Sequence, residues 1–422
     1  MSGPPVNRPP LTEEQRRRRR AEARARARRV RLAALAGLVA VAGLAVGLAL
    51  AATGADQRHI TARSLAALAH RKEEPVALAH HNKAPVMPAI RITVEASGDL
   101  LIHSPVWEQA LADGGGTHYN FAALFRQIKP YIAGVDLPLC HVETPMTPAP
   151  PTGYPIFNTP PALAKAIRQT GWKACSTAAT HSLDQGEAGV VNTIRALDEN
   201  GIWHAGTYAS AAAQRAPLIL TVKGIKVAFL SYTELTNGIP SPHPWSVNRA
   251  ENVPQILAEA RRAHDDGARV EIVNIHWGDE DVQAPSAFQM HLANLLTLSP
   301  YITAVVGQHV HIPQPIRKIN GKFVVFGEGN LISNQTSACC PTASQDGLIA
   351  LLTILVDAHG ARVTFVHYVP IWVQHPSFVV LPVGRGLRID PADAAELRAS
   401  YARTVAAAGR GPHVQPIPAH LP

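Results

Sequence analysis

From Ile90 onward, short apolar runs rich in β-branched residues alternate with longer amphipathic stretches, and this alternation constrains the fold more than any other feature. Such runs predict buried strands, whereas apolar residues recurring every three or four positions predict helices. The predicted strands are Ile90–Ala96, Val135–Cys140, Lys173–Ala178, Lys226–Tyr232, Val270–Ile275, Ile302–Val306, Lys322–Phe326, Leu348–Val356 and Arg362–Tyr368. The predicted helices are Pro161–Thr170, Gly189–Asn200, Asn252–Asp266, Ser286–Leu298 and Pro391–Ala408. We therefore expect an α/β fold with a mostly parallel sheet, covering helices and antiparallel pairing of the last strands.

Five of the predicted strands run into carboxylate or imidazole side chains. Ile302–Val306 leads to the sequence Gly-Gln-His-Val-His, which places His309 and His311 one residue apart beyond a buried strand. The other groups that follow strands are Asp99, Glu143, His181 and His276. Active sites of open α/β sheets lie at the carboxyl ends of strands, so we expect these groups to converge. Each of them, taken alone, also fits a hydrogen-bonded turn or a helix cap.

The residue types in this set point to a divalent metal ion. Carboxylates and imidazoles without a C-x-x-C pair are ligands suited to Mn, Fe, Zn or Mg. Two carboxylates with several imidazoles are enough for one ion, or for two ions about 3.5–4 Å apart with one bridging carboxylate.

The net charge of +8 is confined to the N-terminal tail. Residues 1–31 contain 11 arginines and three acidic residues, and the remaining chain has equal numbers of basic and acidic residues. A basic nucleic-acid-binding face on the folded part is therefore not expected.

An uncharged run of 21 residues, Leu32–Ala52, follows the arginines directly. As a helix it would be about 31 Å long, which matches the hydrocarbon thickness of a bilayer. Arginines on its N-terminal side predict a cytoplasmic N-terminus and an extracytoplasmic main domain attached to the cell membrane by a single span. A cleaved signal peptide is the alternative interpretation, because Ala49-Leu50-Ala51 has the small-x-small pattern of a cleavage site.

These features divide the chain into five segments. We predict a disordered basic tail at 1–31, a transmembrane anchor at 32–52, a stalk at 53–89, the main domain at 90–375 and a peripheral C-terminal extension at 376–422. The chain has four cysteines, which is compatible with disulfides in an exported protein, and the sequence leaves their three possible pairings open.

The order of motifs resembles the CapA-type family of capsule and poly-γ-glutamate biosynthesis proteins, which is related in fold to calcineurin-like metallophosphoesterases. The motifs are Gly-Asp at 98–99, Glu before Thr-Pro at 143–145, His-x-x-Asp-x-Gly at 181–186, His-Trp-Gly at 276–278, Gly-x-His-x-His at 307–311 and Gly-Asn at 329–330. The resemblance covers residues 90–375. It implies a four-layer α/β/β/α sandwich with a metal centre at the strand ends.

The resemblance also implies a role for each matching residue. Asp99, Glu143, His276, His309 and His311 would be metal ligands, with Glu143 as the bridge. His181 would donate a proton to a leaving group, and Asp184 would orient it. Supporting roles would belong to His103, Thr180 and Asn330.

Three positions depart from the family pattern. The pattern has Asn-Asn-His where this chain has Ala-Thr-His at 179–181, so a hydroxyl replaces an amide oxygen as a potential ligand. It has Asn-Leu-Glu where this chain has His-Val-Glu at 141–143, and Ser-Leu-Gly-Asn where this chain has Gly-Glu-Gly-Asn at 327–330. These departures bear on whether one ion, two ions or none is bound.

Three functions follow from the resemblance. The first is a membrane-anchored protein that acts on an anionic extracellular polymer as a metal-dependent hydrolase or transferase. The second is a non-catalytic subunit that docks on a membrane polymer synthase. The third is an exported metallophosphodiesterase.

Overall fold

The structure, a computed structural model, describes residues 89–418. The predicted basic tail, the predicted anchor and almost all of the predicted stalk lie outside these residues. Within them, every helix is too short or too polar to cross a bilayer.

The strands of the described part form two mixed sheets. Their bounds are β1 (Ile90–Leu100), β2 (Leu137–Val142), β3 (Ala174–Ser176), β4 (Trp203–Ala205), β5 (Leu218–Val222), β6 (Ile225–Thr233), β7 (Val270–His276), β8 (Ala304–Gln308), β9 (Ile316–Ile319), β10 (Lys322–Val325), β11 (Asn330–Ile332), β12 (Asp346–Asp357), β13 (Gly360–Gln374), β14 (Val379–Pro382) and β15 (Val414–Pro416). The helices are α1 (Ser104–Asp113), α2 (Ala122–Phe125), α3 (Lys129–Ala133), α4 (Ala162–Thr170), α5 (Gly186–Glu199), α6 (Ala211–Arg215), α7 (Val253–Asp265), α8 (Ala287–Leu298), α9 (Val383–Ile389) and α10 (Ala394–Ala408).

The larger sheet has the order β14-β13-β12-β1-β2-β3-β4, with β11 added beside β1 and β15 beside β13. Strands β1 to β4 are parallel, and β12, β13 and β14 continue the sheet in antiparallel pairing. The last strands are therefore antiparallel, as the sequence predicts. In β1, a Cβ on Gly98 would lie 1.8 Å from the carbonyl oxygen of Gly329, so only glycine allows β11 to approach here.

The smaller sheet has the order β5-β6-β7-β8-β10-β9. Its four inner strands are parallel, and the two edge strands pair antiparallel with their neighbours. The alternation of strands and helices predicts one mostly parallel sheet, and this expectation is wrong, whereas the two β-layers that the family resemblance implies are present. Hydrophobic periodicity identifies strands but carries no information on which strands pair, because pairing depends on contacts distant in sequence.

Three apolar clusters separate four layers. The first packs helix side chains such as Phe125 and Ile167 against the outer face of the larger sheet. The second lies between the two sheets, where Val94 and Ile272 are fully buried. The third joins the smaller sheet to α7 and α8. The structure thus has the α/β/β/α order of layers, and it confirms an α/β fold with mixed sheets.

One disulfide, between Cys140 and Cys175, joins the paired strands β2 and β3. Cys339 and Cys340 are free thiols. The structure thus selects one of the three cysteine pairings that the sequence left open. This disulfide links two strands that lead to candidate site residues.

Residues after Pro376 are integrated into the larger sheet, so the expectation that they are peripheral is wrong. Strands β14 and β15 both pair with β13. Arg403 of α10 forms a bidentate ion pair with the buried carboxylate of Asp346, with distances of 2.7 and 3.0 Å. The sequence hides this role because the partner lies 57 residues away.

Replacement of Arg403 by methionine should destabilise the protein by about 3 kcal/mol, because it leaves the Asp346 carboxylate buried without its partner. Urea denaturation of the full chain measures this change. Arg398→Met, at an exposed position of the same helix, is the matched control. Equal losses of stability in both variants would contradict a specific role for the ion pair.

Candidate metal centre

The two sheets bring their strand ends together at one buried edge. Asp99 is the penultimate residue of β1, Glu143 follows β2, His276 ends β7, and His309 and His311 follow β8. Their exposed fractions range from 0 to 5%. The five residues that the sequence predicts as metal ligands thus lie in one cluster, although they are up to 212 residues apart.

The two histidines after β8 have unusual backbone conformations. His309 has φ 94° and His311 has φ 63°, in the left-handed region that residues other than glycine rarely adopt. Such conformations cost about 1–3 kcal/mol each and are found most often at functional sites. The Asp99 carboxylate accepts the backbone N–H of His309 at 3.3 Å and fixes this turn.

Three polar atoms from separate strand ends meet at the centre of the cluster. Thr180 Oγ1 lies 2.7 Å from His276 Nε2 and 3.1 Å from His309 Nδ1, and the two imidazole nitrogens are 3.1 Å apart. Glu143 Oε1 is 3.7 Å from His276 Nε2. These contacts place a hydroxyl oxygen and two imidazole nitrogens, each of which can bind a cation, at one point.

Buried polar atoms without hydrogen-bond partners near the centre of the cluster are further evidence that the cluster can bind a cation. Glu143 Oε2 and His309 Nε2 are buried without a hydrogen-bond partner among the described residues. Two further groupings, Asp99 with Glu143 and His311, and Asp99 with His141 and His276, place potential ligand atoms within 4.8 Å of one another. Buried lone pairs without donors are costly unless a cation binds them, so the residues present fit a divalent metal ion.

Asn330 sets the orientation of His311. Its side-chain amide donates to Gln335 Oε1 and to the carbonyl of Ser344, so its own oxygen faces His311 Nδ1 at 3.0 Å. His311 Nδ1 therefore donates to Asn330, and Nε2 is the nitrogen that can bind a metal ion once it is deprotonated. Metal-binding histidines commonly have their second nitrogen held in this way.

Burial controls the charge of the cluster. It lowers the pKa of His309 to about 4, and burial with the neighbouring histidines lowers the pKa of His276 well below its usual value. Burial and the Asp99 charge raise the pKa of Glu143 well above its usual value. Burial would also lower the pKa of His311, but the hydrogen bond to Asp99 and the Glu143 charge outweigh it and raise that pKa to about 10. His276 and His309 are consequently uncharged, the state in which imidazole binds a metal ion.

His181 and Asp184 form a dyad beside the cluster. His181 Nδ1 donates to Asp184 Oδ2 at 2.8 Å, and the same oxygen accepts the backbone N–H of Phe157 at 2.7 Å. The Phe157 ring packs edge-on against the His181 imidazole, with 4.5 Å between centroids. Asp184 thus holds the ring in place and makes no side-chain contact that caps the helix α5.

His103 lies at the edge of the site and belongs to none of the potential ligand groups found within residues 89–418. Its Nδ1 lies 3.2 Å from the Leu101 carbonyl, and its ring packs edge-on against Phe157. Burial lowers its pKa to about 4. The structure therefore places His103 beside the dyad rather than among the central ligands.

His141 is a site residue that sequence reasoning treated only as a departure from the family pattern. Its Nδ1 is 2.6 Å from Ser176 Oγ, and its Nε2 is 2.9 Å from His276 Nδ1. Ser176 donates to the Cys140 carbonyl and so accepts from His141, whose Nε2 then accepts the Nδ1–H of His276. This series of hydrogen bonds leaves the lone pair of His276 on Nε2, which faces the centre of the cluster. The period-two alternation of β2, which puts His141 and Glu143 on one face, was the available signal.

Glu280 was also missed. It is exposed on the loop after His276, and its carboxylate lies within 4.8 Å of potential ligand atoms of His309 and His311. The sequence Asp-Glu-Asp at 279–281 gave no means of choosing among three acidic residues.

The family model for the bacterial capsule synthesis protein PGA_cap matches residues 93–335, which is more than half of the chain. The chain therefore belongs to this family of CapA-like capsule and poly-glutamate biosynthesis proteins, as its motifs predict.

Two curated relatives illustrate the range of similarity. The capsule biosynthesis protein CapA of Bacillus anthracis is 24% identical over 255 residues, which are 58% of this chain and 60% of the relative. A probable polyglutamine synthesis accessory protein of Mycobacterium tuberculosis is 28% identical over 176 residues, which are 38% of this chain and 45% of the relative. The match thus spans about half the length of these relatives.

Two solved structures have similar folds. The calcineurin-like phosphoesterase YfkN from Bacillus subtilis has a TM-score of 0.44 and 14% identity, covering 74% of this chain and 100% of that chain. The 5'-nucleotidase precursor from Thermus thermophilus has a TM-score of 0.42 and 13% identity, covering 75% of this chain and 59% of that chain.

Substitution of His141 tests its part in the cluster. His141→Leu removes the acceptor for His276 Nδ1–H and should weaken divalent-metal binding about 10–100-fold. His141→Asn keeps a side-chain oxygen that can accept this proton and should lose less. Titration of the metal-free full chain with Co²⁺, followed by absorbance, gives both affinities. Wild-type affinity in the leucine variant would show that His141 does not orient His276.

Proposed function

We propose that this chain is a membrane-anchored, extracytoplasmic protein of capsule or poly-γ-glutamate-type polymer assembly whose site cleaves or transfers a bond with the help of a divalent metal ion. The observation that carries this proposal is the convergence of Asp99, Glu143, His276, His309 and His311 at one buried edge. Family membership supports the polymer, and the arginine-flanked apolar run at 32–52 supports the anchor.

Asp99, Glu143, His276, His309 and His311 would hold the ion, and Thr180 offers a neutral oxygen beside two of them. A bound divalent ion supplies Lewis acidity, which polarises a substrate oxygen and makes water a competent nucleophile near neutral pH. The anionic polymer would reach the ion from the solvent side, because the ligands are buried against both sheets.

His181 is placed to act as the general acid. Its Nδ1 is committed to Asp184, and no hydrogen bond to Nε2 comes from residues 89–418. Nε2 is therefore available to give a proton to the leaving atom of an amide or phosphoester bond. Asp184 stabilises the protonated ring before transfer and keeps its orientation fixed.

Metal content is the direct test of the centre. His309→Ala removes a ligand whose Nδ1 lies 3.1 Å from His276 Nε2 in the cluster, so the purified full chain should lose bound metal and any hydrolytic activity with it. Elemental analysis of wild type and variant makes the comparison, and His413→Ala, far along the chain on an exposed segment, is the control. Unchanged metal content in His309→Ala would contradict the assignment of His309 as a metal ligand.

The dyad has a separate test. His181→Asn should retain metal and reduce turnover by about 10²–10⁴-fold, because only proton transfer is lost. Elemental analysis and rate measurements on the same preparation separate the two effects. An unchanged rate would remove His181 from the catalytic machinery.

A non-catalytic subunit of a membrane polymer synthase is the second candidate. The Thr180 hydroxyl favours it, since it stands where the family pattern has an amide oxygen, and a hydroxyl is the weaker ligand. Thr180→Asn distinguishes the candidates: activity that appears only in this variant would identify the native chain as a non-catalytic subunit. Turnover of a chromogenic phosphodiester by the wild type would instead favour an exported phosphodiesterase.

A further inference from the structure

Glu280 is an exposed carboxylate beside a buried cluster. It forms no hydrogen bond or ion pair with any other residue of the described part of the chain. Its carboxylate nevertheless lies within 4.8 Å of potential ligand atoms of His309 and His311. Glu280 therefore lies on the solvent side of two buried imidazoles, and the proposed function gives it no role.

The loop that carries Glu280 is anchored rather than loosely placed. The backbone N–H of Asp281 donates to the carbonyl of Val310, the residue between the two histidines, at 2.9 Å. The backbone N–H of Gly278 donates to Glu234 Oε2 at 2.9 Å. Asp281 itself has φ 63°. These contacts hold the loop against the turn that presents His309 and His311.

One nitrogen of each of these two imidazoles makes no hydrogen bond with the described residues. His309 uses Nδ1 toward His276 and Thr180, and its Nε2 is buried without a hydrogen-bond partner. His311 uses Nδ1 toward Asn330 and Asp99, which leaves Nε2. A carboxylate with two imidazole nitrogens is a ligand set that binds divalent metal ions.

We propose that Glu280, His309 and His311 form an outer cation site that captures a divalent metal ion and passes it to the buried centre. This inference rests on the proposed function, because it assigns the route by which that centre is loaded. A neutral imidazole has one lone pair, so His309 can bind an ion through Nε2 in the outer site or through Nδ1 in the inner one. The two sites share His309 and His311 and are therefore occupied in turn.

The burial of the inner ligands explains why such a site is needed. Asp99, Glu143 and His276 are at most 1% exposed, so an ion from solution must lose most of its water before it reaches them. Small divalent ions such as Mg²⁺ give up hydration water reluctantly. Glu280 and the two imidazoles would replace part of the hydration water first, and the buried ligands would replace the rest. The free energy of dehydration is then divided between two stages.

Loading kinetics test the proposal. The metal-free full chain is mixed with Co²⁺ alone, the d–d absorbance is followed in time, and the bound metal is counted by elemental analysis at the end. Glu280→Gln should slow loading about tenfold or more, because it replaces the carboxylate ligand of the outer site by a weaker, neutral amide oxygen. The final metal content should equal that of the wild type.

Asp279→Asn is the matched control, since it removes the same charge from the neighbouring exposed position and Asp279 belongs to no ligand group of the described residues. It should load at the wild-type rate. Equal rates in all three proteins would overturn the capture role. A lower final metal content in Glu280→Gln would also overturn it, because Glu280 would then be a permanent ligand. A wild type that binds no Co²⁺ would instead be a failure of the proposed function.

Discussion

The Asp99 carboxylate is the contact on which the site depends. It lies near the end of a strand of the larger sheet and accepts the backbone N–H of His309, which follows a strand of the smaller sheet. It also lies 3.4 Å from His311 Nδ1 and 3.7 Å from His276 Nδ1. A single buried acid therefore ties the ends of both sheets together and fixes the turn in which two histidines adopt left-handed backbone conformations.

Burying so many polar groups is unfavourable for folding unless something compensates. Hydrogen bonds compensate part of the set, as for His141 through Ser176 and His311 through Asn330. Behind them, Gln308 bonds both Asn274 and Glu328, and burial raises the pKa of that glutamate to about 8. Glu143 Oε2 and His309 Nε2 have no partner of this kind among residues 89–418. A divalent cation bound in the cluster would directly satisfy Glu143 Oε2. For this reason the proposed function and the proposed outer site both involve the same ion-binding cluster.

The strand-end rule identified most of the cluster for a physical reason. A carboxylate or imidazole directly after a buried apolar run is expensive unless the strand opens onto a site, and this reasoning reached Asp99, Glu143 and His276 from the sequence. It passed over His141, although that residue directly follows the predicted strand Val135–Cys140, because the family pattern has a non-ligand residue at that position; in the structure His141 lies within β2. It could not single out Glu280 because three acids follow one another, and only the hydrogen bond from Asp281 to Val310 decides which of them faces the histidines.

The sequence by itself determined nine of the fifteen strands and five of the ten α-helices of the described residues. It also determined the family and the residue types of a metal centre, because these follow from local periodicity and from motifs that are short and ordered. Tertiary structure alone decided which strands pair within each of the two sheets, that the C-terminal segment completes the larger sheet, and that Cys140 pairs with Cys175. It also decided which lone pairs remain without a donor. Each of these depends on contacts between residues far apart in the chain, which periodicity along the sequence does not record.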